Sequence, residues 1–82
     1  MILADQIRHF VFEKYISPAR ERGQNVIRLT AGDIHADMGL QNRFPAVCGA
    51  LDAEKFAEQY HVIITSRHGP KFGSSTEWEI EI

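Results

Sequence analysis

The residues in this chain with the chemistry for catalysis are few and scattered. Its single cysteine, Cys48, sits among Val47, Ala50 and Leu51, a setting for a buried small hydrophobe; a nucleophilic thiol needs a histidine base beside it. Asp33, His35 and Asp37 have the side chains of metal ligands. At ~3.6 residues per helical turn, however, the two aspartates share one face and His35 points to the opposite side. His9, His61 and His68 show no ligand spacing and are read as surface or edge residues. Gly69, Gly73 and the nearby serines do not follow a strand and open a helix, so they lack the context of a phosphate-cradling loop. With no paired carboxylates, triad or metal cluster in a workable arrangement, the chain is expected to be neither an enzyme nor a holder of a cofactor or metal.

The elements that position these residues follow from the apolar spacing. Leu3, Ile7, Phe10 and Val11 fall at i, i+4, i+7 and i+8, one stripe of an α-helix. Phe12 and Ile16 lie four apart on another face, so this helix is either wrapped on two sides or offers a second apolar strip to a partner. Ser17-Pro18 should interrupt the pattern, with Ser17 capping a new short turn that stops at Gly23. Val26, Ile27, Arg28 and Leu29 read as a short strand. Thr30 and Asp33 form a capping-box-like start to a second helix that carries Ile34 and Met38 inward and ends at Gly39. Asn42 is the expected cap of a third helix, with Pro45 in its first turn and a buried stripe of Phe44, Val47, Cys48 and Leu51. That helix either continues to Tyr60 or kinks near Asp52 and Ala53; the spacing allows both. His61 to Ser66 is rich in β-branched residues, and from Thr76 to Ile82 Trp78, Ile80 and Ile82 alternate with Glu77, Glu79 and Glu81. These are two strands of a hairpin with one wet face. The stretch between them, 67–75, reads as an extended, basic loop.

At 82 residues the chain has room for one domain, expected to span 1–82. Its composition, 44% hydrophobic and 24% charged, is that of a soluble globular protein, with no apolar run near the ~18 residues a membrane span needs. The first residues lack the continuous apolar centre of a signal peptide, and one cysteine agrees with a reducing compartment, so a cytoplasmic location is expected. The net charge of −2 is the wrong sign for coating nucleic acid, so any such contact must come from a local basic cluster.

The order of helix, short strand, helix, tight turn, helix and long-looped hairpin resembles the winged helix-turn-helix superfamily. The resemblance is carried by the helix over 30–38, the turn at Gly39, Leu40, Gln41 and Asn42, the helix from Arg43, and the hairpin with Arg67, His68 and Lys71 at its tip. It implies an α+β fold of three helices, a short strand and a two-stranded wing. It also implies binding of double-stranded DNA, with the third helix in the major groove and the wing loop on a neighbouring phosphate. Gln41, Asn42 and Arg43 would then face the groove, while Arg67, His68, Lys71, Ser74 and Ser75 would grip the backbone. Glu77, Glu79 and Glu81 would repel phosphate and limit the wing to contact by its tip. Ala46, Gly49 and Ala53 permit close approach but supply no hydrogen bonds to bases. The expected function is therefore a DNA-binding transcription regulator or accessory of a DNA-processing system, dimeric through Phe12 and Ile16. Its rival is a winged-helix module that binds a protein partner.

Overall fold

The computed structural model describes residues 2–82. A single run of helical backbone opens the chain: α1 (Leu3–Val11), a π-helical segment (Phe12–Ile16) and α2 (Ser17–Glu21). Ser17-Pro18 was expected to interrupt the helix; instead Ile16 and Ser17 both keep right-handed helical dihedrals. The wide turn explains this. The N–H of Ser17 donates to the carbonyl of Phe12, five residues back, and this expansion is a known way for a helix to absorb a proline ring that would clash with the preceding turn. The same extra residue re-phases the apolar stripe. Ile7, Val11, Ile16 and Ala19 are all buried, and the five-residue step from Val11 to Ile16 spans the π turn. Ile16 is thus fully buried within its own chain, and Phe12 stacks on Tyr60 with ring centroids 5.0 Å apart. Of the strip expected at a dimer contact, Ile16 is consumed internally, while Phe12 is half-buried beside Tyr60.

Gly23, at φ 78°, ends this helix in a Schellman arrangement: its N–H reaches the Arg20 carbonyl and that of Gln24 reaches Ala19. β1 (Val26–Thr30) follows and leads directly into α3 (Ala31–Asp37), where the Asp33 N–H donates to Thr30 Oγ1 at 3.0 Å. α4 (Phe44–Asp52) and α5 (Glu54–Tyr60) are separated at Ala53, whose ψ of 139° is extended. The third helix therefore breaks where the spacing allowed either outcome. Arg8, 5% exposed, donates to the Ala50 carbonyl at 3.1 Å and so satisfies one of the acceptors that the end of α4 leaves open. Arg20 does the same for α5, donating to the carbonyls of Tyr60 and His61.

β2 (Ile63–His68) and β3 (Glu77–Glu81) complete a three-stranded antiparallel sheet of order β1-β3-β2. The short strand and the hairpin, expected as separate features, share one sheet with β3 in the middle. Val26 pairs with Glu81 and Thr30 with Glu77, and a bulge between Ile64 and Ser66 interrupts the β2 register. The central position accounts for the alternation read from β3. Trp78 and Ile80 are fully buried against the helices, together with Ile7, Ile34, Val47, Leu51 and Phe56, while the glutamates lie on the outer face. The architecture is α+β. Among the described residues no helix is long and apolar enough to cross a membrane.

Candidate nucleic-acid interface

Two segments bring the expected contact residues to the surface. The first is the connection between α3 and α4. Gly39, at φ 67°, closes α3, with its N–H on Ala36 and that of Leu40 on the His35 carbonyl. Gln41, Asn42 and Arg43 are exposed. Asn42 was expected to cap α4, but it adopts a left-handed conformation at φ 54°, which its short polar side chain tolerates and which differs from the extended geometry of a cap. Arg43 occupies the boundary instead and makes no side-chain cap bond. The partner comes from the preceding helix: the Arg43 N–H donates to His35 Nε2 at 3.2 Å, and the imidazole stacks on Phe44 with centroids 4.0 Å apart and planes 16° from parallel.

On α4 the side facing the core holds Val47, Cys48, Ala50 and Leu51, while Pro45, Gly49 and Asp52 are exposed. A Cβ placed on Gly49 would meet nothing within 4 Å, so this face is open and lacks protruding side chains. Asp52 is fully engaged. Its carboxylate accepts from Arg67 Nε at 2.9 and 3.1 Å and from the buried Trp78 indole N–H at 2.8 Å.

The second segment is the β2–β3 connection. It was expected to be extended, but it folds back onto the helices. The Gly32 N–H donates to the Ser74 carbonyl at 2.9 Å and the Ala31 N–H to the Thr76 carbonyl at 2.8 Å; the Cys48 thiol lies 4.0 Å from the Gly73 carbonyl. Glycine at 32 permits this closeness, because a Cβ there would sit 2.9 Å from the Ser74 oxygen. Thr76 Oγ1 donates to the Pro70 carbonyl at 2.6 Å.

Arg67 organises the loop from within. Besides gripping Asp52, its guanidinium donates to the carbonyls of Gly69, Pro70 and Lys71 and lies over the Trp78 ring at 5.9 Å. The Asp52 hydrogen bond raises its pKa further above an already high value. His68 pairs with Ser66 Oγ at 2.6 Å. The Lys71 ammonium stands 5.3 Å from the centroid of the exposed Phe72 ring, and Ser74 and Ser75 are exposed.

Charge is segregated. Among the described residues neither Arg43 nor Lys71 is paired with a carboxylate, and the one acid of α4, Asp52, is neutralised by Arg67. The acids of α3 act elsewhere: Asp37 accepts the Tyr15 hydroxyl, and burial followed by the Asp37 and Asp33 charges raises the tyrosine pKa. On the outer sheet face Glu79 pairs with Arg28 and accepts from Thr65.

Sequence reasoning missed His35 as a capping partner and Asp52 as the node joining α4, β2 and β3. A threonine, serine or aspartate at a helix boundary announces itself by position; a ring nitrogen eight residues away does not. Comparison of the chain with protein families, curated proteins and solved structures yields no match.

Proposed function

We propose that the chain is a winged-helix module that binds double-stranded DNA through its phosphates and with little base selectivity. The observation that carries this reading is the distribution of charge. Among the described residues, the face made by the α3–α4 connection, the open side of α4 and the β2–β3 loop holds two cations without a carboxylate partner, Arg43 and Lys71, and its only acid on α4 is already paired. The strand order β1-β3-β2, with β1 after the first helical run and α3 to α5 between β1 and β2, fits the winged-helix arrangement. Pro45 and Gly49 allow α4 close approach to a duplex and offer no donor or acceptor to base edges, which favours backbone over base recognition. Arg67, bound on all sides by Asp52 and the loop carbonyls, acts in this scheme by shaping the loop that presents Lys71. The exposed Ser74 and Ser75 would add hydroxyl donors from the same loop.

The bare surface of α4 also favours a second reading, a winged-helix module that docks on a protein, for which a face without hydrogen-bonding side chains is well suited. Fluorescence anisotropy with a labelled random duplex separates the two. Two phosphate contacts predict a log–log salt slope near about −1.8, so a fourfold rise in salt weakens binding by about 12-fold. Arg43→Ala and Lys71→Ala each reduce the slope by about 0.9. Absence of binding at low salt rejects the DNA reading in favour of the protein partner.

A further inference from the structure

We propose that His35 is the positioning residue of this interface: its neutral imidazole holds the backbone of Arg43 in the presenting conformation, so that protonating the ring loosens the turn and weakens binding. α4 begins without a capping side chain of its own, and its first N–H groups have no intrahelical acceptors. The Arg43 N–H is satisfied by His35 Nε2 at 3.2 Å. Only the neutral tautomer with its proton on Nδ1 has a lone pair at Nε2; the imidazolium has two donors and no acceptor.

The ring is held for this task from two directions. Its face lies on Phe44 at 4.0 Å, and its own backbone carbonyl accepts the Leu40 N–H that closes α3. A single residue therefore ties down both ends of the connection, which includes the left-handed, non-glycine Asn42. Such a conformation persists only where its surroundings hold it.

Charged groups face the ring from both helices. From α4 the adjoining charged residue is Arg43 itself, a like charge. On α3, Asp33 and Asp37 act on Tyr15, and among the described residues His35 forms no ion pair with a carboxylate. An imidazolium here would stand between the positive start of α4 and the negative last turn of α3. The last step, from a loosened turn to weaker binding, rests on the DNA reading above; the capping role does not.

The test is an NMR titration of the full chain from about pH 7.5 to about 5.5, the range over which imidazole changes charge. It compares wild type with His35→Gln, whose side-chain oxygen can accept the same N–H without titrating. In wild type the Arg43 amide and the His35 ring shift with one midpoint, while in H35Q the Arg43 amide is flat. Over the same range, affinity for the random duplex falls about fivefold relative to H35Q, the equivalent of one neutral hydrogen bond of about 1 kcal/mol. An Arg43 amide that stays still while the ring titrates overturns the capping role whatever the duplex does. Tighter duplex binding by wild type on acidification, relative to H35Q, overturns the proposal by making the imidazolium a phosphate ligand. Coupled titration with no duplex binding by either protein refutes the binding step and the DNA reading, and leaves the capping role standing.

Discussion

Removing the carboxylate of Asp52 should destabilise the fold more than its half-exposed position suggests, because one of its partners is fully buried. Trp78 is 0% exposed and its indole N–H donates to Asp52 Oδ1 at 2.8 Å. In Asp52→Ala this donor loses its acceptor without regaining water, at a cost of about 1–3 kcal/mol. The Arg67 ion pair adds less. Both its side chains are about a third exposed, 29% and 33%, so solvent screening limits it to about 0.2–1 kcal/mol. The expected total is about 1–4 kcal/mol, a fall in Tm of roughly 5–30 °C for a domain of this size. Urea unfolding followed by far-UV circular dichroism measures it, and keeps the probe when the tryptophan is changed. In a Trp78→Phe background the indole donor is gone, so Asp52→Ala should cost no more than about 1 kcal/mol and the cycle should show about 1–3 kcal/mol of coupling. Asp52→Asn, which retains an acceptor for the indole, should lie between. If Asp52→Ala costs the same in both backgrounds, the buried donor does not depend on Asp52 and the account of how α4 ends against the sheet fails.

The two interface glycines should respond with opposite signs. Gly32→Ala drives a methyl to 2.9 Å from the Ser74 carbonyl oxygen, costing about 1–3 kcal/mol in thermal unfolding as the loop shifts. Gly49→Ala enters open space within α4 and should stabilise by about 0.5–1 kcal/mol. Gly49→Glu should leave the Tm close to that of Gly49→Ala yet weaken duplex binding in the anisotropy assay, since it places an acid on the face proposed to approach phosphate. Arg8→Ala should cost about 2–4 kcal/mol in urea unfolding, as it leaves the Ala50 carbonyl without its donor and empties the space filled by the arginine stem. The Arg8 hydrogen bond, aided by Lys55, holds the Asp5 carboxyl below its ordinary pKa. A lowered folded-state pKa gives stability that is present above the unfolded value and is lost as pH falls through the carboxylate range; Asp5→Asn should flatten that acid limb in a pH series of Tm values.

Much of the secondary structure was written locally. Thr30 before Asp33 set the start of α3 and Gly39 its end, and the glutamate alternation of β3 named its buried face, since caps, left-handed glycines and a period of two are short-range effects. Three things were not local. Pro18 signals a break unless the turn before it widens, and whether it widens depends on burying Ile16 under the same stripe as Val11. The end of α4 at Ala53 depends on partners for Ala50 and Asp52 that come from residues 8, 67 and 78. The cationic loop reads as an extended tip until Arg67 finds Asp52 and Gly32 finds Ser74.

The sequence by itself therefore determined the strands, the ends of α3, the buried face of β3 and the small set of polar residues near the surface, because spacing and turn chemistry act within a few residues. Only the tertiary structure decided which of those residues are free. Arg67 and Asp52 cancel each other, Ile16 is taken into the core while Phe12 packs half-buried on Tyr60, and His35 supplies the cap that Asn42 does not, because each of these outcomes is a competition among groups far apart in the chain for the same donor, acceptor or apolar surface.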